Sequence, residues 1–302
     1  MTLTPAGVAS GAAATGGEAV DVRGLSYRYP GASSLALDEV DLALAAGERV
    51  VVAGPSGSGK STLARVLASL LRPLSGSVRI GGADTGGMRP QAVARHLGLV
   101  FQDPNHQLLT GSVREELALG PANLGLASGA VDDRVGTVAA RLGLESLLHI
   151  HPYRLALADR KRVALGAVLT MCPSVLVLDE PTSGQAPDGT DRLARVIGDE
   201  AAGGTAVIVV THDMRFAAEV ADRLVVLVAG RVRADAVPDA IFRDERLLHD
   251  AGLEPPQVAR LCLRLGLAEA VPVTADPARL ADRIRAARAA RTGGQDGPRP
   301  GG

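Results

Sequence analysis

An α/β fold around a mostly parallel sheet is what this sequence predicts, and three observations carry the prediction. The short, continuously apolar runs "SVLVLDE" and "TAVIVVTHD" have the character of strands buried on both faces. The helical stretch "GTDRLARVIGDEAA" separates them. A third apolar run, "GERVVVAG", passes straight into a glycine-rich turn and a helix, "STLARVLASLL". Strand–helix alternation of this kind lays parallel strands in one sheet and helices on its faces.

The elements follow in order. Residues 1–17 are mostly Ala, Gly, Ser and Thr, a composition that predicts disorder. "VDVRGLSYRYP" reads as a strand, "PGASS" as a turn, and "LDEVDLAL" as a second, alternating strand. The helix "STLARVLASLL" is expected to stop before Pro73, ahead of the strands "GSVRIGG" and "HLGLVFQ". From "TGSVREELALG" through "AARLGLESLL" the pattern is helical with Gly and Pro breaks, a helical insertion at about 108–165. "RLVVLVAGRVRAD" reads as a strand–turn–strand that completes a main domain over 18–237. A helical segment follows at 238–288, where Leu253, Val258, Leu261 and Leu265 are spaced for one apolar helical face after Pro255 and Pro256. The tail over 289–302 is expected to be flexible.

Composition sets bounds. With 302 residues the chain can bury a substantial core, and its 46% hydrophobic and 22% charged content is ordinary for a globular protein. A formal net charge of −1 gives no general pull toward nucleic acid or an anionic membrane. Lys60 and Lys161 are the only lysines; the remaining positive charge is arginine. Cys172 and Cys262, far apart in apolar helical context, read as buried free thiols. No basic flank leads into an apolar segment at the N-terminus, and no apolar run reaches about 18 residues, so neither a signal peptide nor a membrane span is expected.

The chemistry begins at "GPSGSGKST". It fits the phosphate-binding P-loop at every fixed position, Gly54, Gly59, Lys60 and Ser61, between a buried strand and a helix. Glycines let the backbone curl so that successive N–H groups converge on an anion, and the helix N-terminus adds its dipole. Pro55, Ser56, Gly57, Ser58 and Thr62 complete the cradle, with Lys60 placed for the β- and γ-phosphates and the Ser61 hydroxyl for Mg²⁺. Asp179 and Glu180 end a strand, which puts the first carboxylate beside Mg²⁺ and the second where it orients a water on the γ-phosphate. Gln102 follows "GLVF" and reaches the metal or the water through its amide. His212 ends "VIVVT", in range of the γ-phosphate and of the water-orienting carboxylate. The remaining histidines, His149 and His151 among them, lack a ligand cluster and read as surface or loop residues. Arg160, Lys161 and Arg162 read as the ordinary basic start of a helix, with a merely solvated face as the equal alternative.

In sequence order, the P-loop, "FQDP", "VLVLDEPTSG" and "VVTHD" resemble the nucleotide-binding subunit of an ABC transporter over about residues 20–235. "LVFQDPNHQLLTGSVREELALGPANLGL" and "AGLEPPQVARLCLRLG" are similar to the ATPases of energy-coupling-factor importers, which include cobalt and nickel uptake ATPases. The resemblance implies a P-loop NTPase fold with a RecA-like core, an antiparallel β subdomain, a helical subdomain and a C-terminal helical extension that serves dimerisation. It implies ATP and Mg²⁺ as cofactors and head-to-tail pairing with a second ATPase subunit around two ATPs. It also implies a membrane T-component, a substrate-binding S-component and a peripheral place on the cytoplasmic face of the cell membrane. Tyr29, in "YRYP", would then stack on adenine. Selectivity for a metal or a vitamin lies in another subunit of such importers.

The sequence departs from that family at two places. The signature Leu-Ser-Gly-Gly-Gln aligns with Leu155, Ala156, Leu157, Ala158 and Asp159, so four of the five positions differ. In the family this segment presents backbone N–H groups and a serine hydroxyl to the γ-phosphate on the partner subunit. Losing one hydrogen bond to a charged acceptor costs about 1.5–3 kcal/mol. The isobutyl group of Leu157 and the carboxylate of Asp159 add crowding and like charge. The D-loop has Gln185 and Ala186 where the family has Leu and Asp. Elements used on the partner's nucleotide are thus altered while those used on the chain's own are intact. This favours one half of an asymmetric ATPase pair whose partner has an intact signature, a heterodimer over a homodimer. An ATP-binding regulatory subunit with little turnover is the alternative. The coiled-coil or zinc-hook insertions and duplicated nucleotide domains expected of DNA-repair or ribosome ATPases are absent from the sequence.

Overall fold

A computed structural model describes residues 18–265, 281–282 and 284–285. The expected tails at 1–17 and 289–302, and most of the segment beyond 265, lie outside the described residues. In chain order the first half runs β1 (Val20–Tyr27), β2 (Leu37–Leu44), β3 (Arg49–Ala53), α1 (Lys60–Leu67), β4 (Ser75–Ile80), β5 (Ala83–Asp84), α2 (Pro90–Val93), β6 (Leu97–Val100), α3 (Val113–Asn123) and α4 (Ser128–Leu142). The second half runs α5 (Leu157–Leu169), β7 (Val175–Asp179), α6 (Pro187–Ala202), β8 (Ala206–Thr211), α7 (Met214–Val220), β9 (Arg223–Val228), β10 (Arg231–Ala236), α8 (Pro238–Arg243), α9 (Glu245–Asp250) and α10 (Gln257–Arg264).

Two sheets result. The larger has the order β10-β9-β3-β8-β7-β6, parallel except for the antiparallel edge strand β10. The smaller, β2-β1-β4-β5, is antiparallel. The two-residue period of the strands explains why the central runs are apolar throughout. In β3, Val51 and Ala53 enter one hydrophobic cluster with the helices α3 to α7, while Val50 and Val52 enter the other with α1 and the small sheet. Strand β8 does the same, with Val207 and Val209 on one side and Ile208 and Val210 on the other. A polar residue on either face would be buried without a partner, so the sequence shows no alternation. Among the described residues no helix is long and apolar enough to cross a membrane.

Register then assembles the site. Ala53 lies opposite Thr211, Asp179 opposite Val210, and Val100 opposite Leu178. The carboxyl ends of β3, β8, β7 and β6 therefore finish level, and the loops leaving them share one edge, where open α/β sheets hold ligands.

Three expectations need correction. Helix α1 ends at Leu67 instead of running toward Pro73, because Ser69 takes a left-handed conformation (φ 55°) that closes it. Cys172 is exposed, at φ 53° in the turn between α5 and β7, and only Cys262 is buried. In α10 the inward residues are Ala259 and Cys262, with Val258 and Ile284 packed on Cys262, while Leu261 and Leu265 are exposed. Of the four residues expected to form one face, Leu253 is buried and Val258 half-buried.

Candidate active site

The loop after β3 is built by close approach. A Cβ at Gly54 would lie 2.1 Å from the Leu227 carbonyl oxygen, so the chain passes β9 there only as glycine. Gly59 sits at φ 105°, and a Cβ on it would meet the Ala36 carbonyl at 2.3 Å. It caps α1 without a side chain, leaving the helix's first N–H groups directed into the loop. Ser56 and Gly57 form the exposed crest, and Ser58 N–H donates to the Pro55 carbonyl (3.2 Å). Lys60 is buried beneath, its ammonium donating to the carbonyls of Gly54 (2.7 Å) and Pro55 (2.9 Å). Burial holds its pKa below the usual lysine range, opposed by the charges of Glu180 and Asp179. The Thr62 hydroxyl meets the Tyr29 hydroxyl at 3.1 Å, and the Tyr29 ring stands edge-on to Tyr27.

Carboxylates close the site from β7. Ser61 donates its hydroxyl to Asp179 Oδ1 (2.9 Å). Burial raises the Asp179 pKa, and the Ser61 hydrogen bond works against that rise. These two are hard oxygen donors, and among the described residues no group of three or more His, Cys, Asp or Glu gathers for a metal. That donor set suits Mg²⁺, which takes few protein ligands beside phosphate oxygens and water. Glu180 adopts a left-handed backbone (φ 46°), its N–H bonded to the Val210 carbonyl (2.8 Å). Its Oε2 accepts from the Thr211 hydroxyl (3.2 Å), and its Oε1 lies 2.9 Å from His212 Nδ1. Gln102 stands exposed after β6 and makes no hydrogen bond to this group among the described residues. The structure thus gathers Gly54, Lys60, Ser61, Asp179, Glu180 and His212, with Gln102 on the same edge.

The segments expected to face a partner look different. Leu155 is buried, but Ala156 is the N-cap of α5 and offers no side-chain cap. Leu157 is 44% exposed, and its Cδ2 lies against Gly184. Ala158 and Asp159 are half-buried, and Asp159 is paired with Arg162 on the same helix. The expected free carboxylate at 159 is therefore already neutralised within the chain. Gln185 turns back through its N–H to the Thr182 carbonyl (3.0 Å), and Ala186 is the N-cap of α6, again with no side-chain cap. Both altered segments begin a helix on alanine.

The basic triplet is not a solvated face. Arg160 donates to Asn105 Oδ1 (2.7 Å), with its guanidinium 6.0 Å over the Tyr153 ring. Arg162 donates to the Leu142 carbonyl at the end of α4 (3.0 Å). Lys161 is buried, its ammonium donating to the Glu180 carbonyl at 3.3 Å. Sequence reasoning missed Lys161 and Thr211. The one available signal for Lys161 was that only two lysines occur in the chain.

Comparison with known proteins follows from this geometry. The family model described as "ABC transporter" matches residues 37–183. An energy-coupling factor transporter ATP-binding protein of Methanothermobacter thermautotrophicus is 37% identical over 251 residues, 82% of this chain and 80% of that protein. A cobalt import ATP-binding protein of Rhodobacter capsulatus is 39% identical over 241 residues, 79% of this chain and 86% of that one. The chain belongs to the ATP-binding subunits of ABC transporters, in the energy-coupling-factor and cobalt-import branch. Among solved structures, cbiO1 of Clostridium perfringens, part of the ABC transporter complex cbiONQ, superposes with a TM-score of 0.70 at 28% identity. That match covers 82% of this chain and 99% of that structure. The subunit class binds and hydrolyses ATP, and the parallel core with its antiparallel sheet and helical layer is the ABC ATPase architecture.

Proposed function

We propose that this chain is the ATP-hydrolysing member of an asymmetric ATPase pair that drives a metal-ion or vitamin importer from the cytoplasmic face of the membrane. The substrate class and the T- and S-component partners are supported by relatives named as energy-coupling-factor and cobalt-import proteins. The observation that carries the asymmetry is the contrast between Ser61–Asp179 and Glu180–His212, each joined at 2.9 Å, and the alanine-capped starts of α5 and α6.

In this reading the Gly54–Thr62 backbone cradles the phosphates, Lys60 moves from its loop carbonyls to the β- and γ-phosphates, and Tyr29 stacks on adenine. Ser61, Asp179 and Gln102 would hold Mg²⁺, which when bound neutralises phosphate charge. Glu180, backed by Thr211 and His212, orients the attacking water, and His212 holds the γ-phosphate side of the same pair. The partner would supply an intact signature to this site. In return this chain would offer the partner's ATP the Leu155–Asp159 segment, which lacks the hydroxyl and the glycine approach.

The isolated chain is expected to bind Mg-ATP and to hydrolyse it slowly. Equilibrium binding and a phosphate-release assay check both. Robust turnover by a verified homodimer, abolished by Glu180→Gln, would overturn the asymmetric pair.

A further inference from the structure

The two lysines of the chain are both buried but are placed differently. The Lys60 ammonium stays on the carbonyls of its own phosphate loop, whereas Lys161 reaches Glu180 from α5, the helix that opens on the altered signature. Its neighbours point elsewhere, Arg160 to Asn105 and Arg162 to the end of α4. Lys161 alone of the triplet turns inward, 8% exposed, with its ammonium 3.3 Å from the Glu180 carbonyl oxygen.

An ammonium there is costly, because burial disfavours its charge. The compensating anions are Glu180, Asp103 and Asp179, and burial still leaves its pKa below the usual lysine range. Stability alone is a poor reason to build such a charged cluster, since a whole buried ion pair replaced by well-packed apolar side chains is often neutral or stabilising. Its hydrogen bond falls on a residue whose backbone is left-handed without being glycine, a conformation that persists only where the surroundings impose it. Thr211 and His212 fix the Glu180 carboxylate, Val210 fixes its N–H, and Lys161 shares its carbonyl with the Ser183 N–H, each donor at 3.3 Å.

We propose that Lys161 is a positioning residue for ATP hydrolysis: it holds the Glu180 backbone so that the carboxylate faces His212, and it offsets the charge of the Asp179–Glu180 pair. The inference rests on the proposed water-orienting role of Glu180. Because Lys161 rides on α5, the helix whose start faces the partner's nucleotide is also the helix that steadies this chain's own carboxylate.

The test is steady-state hydrolysis by the purified transporter complex carrying Lys161→Met, Lys161→Arg or Glu180→Gln, with nucleotide affinity and melting temperature measured on each. Lys161→Met is expected to lower kcat roughly ten- to hundredfold, the effect of one lost charge-assisted hydrogen bond. KM for ATP should stay within about twofold, and some fall in melting temperature is expected in Lys161→Met because Asp179 and Glu180 lose a compensating charge. Lys161→Arg should recover part of the rate. Wild-type kcat in Lys161→Met, beside an inactive Glu180→Gln, overturns the proposal and leaves the reading of Glu180 standing. Equal losses in the Met and Arg variants, or a rate loss matched by weaker ATP binding, overturn it as well. Undiminished hydrolysis in Glu180→Gln removes the reading of Glu180 and the proposal together.

Discussion

The edge of the sheet that serves this chain's own nucleotide and the helix starts that would serve a partner's are finished in different ways. On the first, polar side chains hold one another at functional spacing: Ser61 with Asp179, Thr211 and His212 with Glu180, and Lys60 with the loop carbonyls. On the second, two helices begin on alanine, an exposed leucine lies against Gly184, and Asp159 is paired with an arginine of its own helix. Polar groups left unpaired in a cleft would need a ligand or a partner to satisfy them. Here Ala156, Leu157 and Ala186 offer no polar side chain at the helix starts that would cross to a partner, while the cis site gathers hydroxyl, ammonium and carboxylate groups.

The largest expected effect comes from exchanging the two sides in an assembled transporter. Lys60→Ala or Glu180→Gln in this chain should nearly abolish hydrolysis, a loss on the order of a hundredfold or more for charge-bearing catalytic groups. The equivalent lysine or glutamate change in the partner should be tolerated far better, because in the proposed pair the partner's site would face Ala156, Leu157 and Asp159. ATPase rates of the purified complex with one subunit changed at a time make the comparison. Equal losses on both sides would erase the asymmetry, and greater sensitivity in the partner would make this chain the regulatory member.

A smaller effect is expected from repairing the altered helix start. Ala156→Ser supplies an N-cap hydroxyl to α5 and should stabilise the chain by about 1 kcal/mol, measured by urea unfolding. Adding Leu157→Gly, Ala158→Gly and Asp159→Gln should raise hydrolysis by the complex modestly at most, since Gln185 and Ala186 are still in place. A large rise would show that the signature alone limits the second site. No gain in stability from Ala156→Ser would show that water already serves the first turn of α5.

How far this was legible in the sequence depends on the range of each interaction. Strands β3, β7 and β8 were readable because burial on both faces leaves an uninterrupted apolar run, and the phosphate loop because each glycine answers a local need. Asp179, Glu180 and His212 followed from their place at strand ends. The misreadings concern long-range partners. Nothing near Arg162 in sequence announces the carbonyls at the end of α4, and nothing near Lys161 announces a carbonyl 19 residues away. The face of α10 misled for a related reason. Leucines at helical spacing suggested the buried stripe, yet small Ala259 and Cys262 allow closer packing and leave Leu261 and Leu265 outside.

The smallest effect belongs to the end of the sheet opposite the site. There Asp222, just before β9, accepts hydrogen bonds from the Arg49 backbone N–H and from its Nε, both at 3.0 Å, as well as from a terminal guanidinium nitrogen. These contacts hold the Asp222 carboxyl below its ordinary pKa of 3.8. A depressed folded-state pKa means the ionised form is favoured by folding. The contribution is fully present above the unfolded value and is lost as pH falls through the folded one. Asp222→Asn should therefore cost stability at neutral pH, about 1 kcal/mol or less because both side chains are partly exposed. The gap between wild type and variant in urea titrations should begin to narrow as pH drops below 3.8 and go on narrowing below that. Hydrolysis at neutral pH should be unchanged, since the pair lies at the amino ends of β3 and β9 and the proposed catalytic groups lie at the carboxyl ends of β3, β7 and β8. A gap that widens on acidification would reverse the sign assigned to Asp222. A fall in ATPase rate at full stability would show that the two ends of the sheet are coupled, and the separation between a scaffold end and a chemical end would no longer hold.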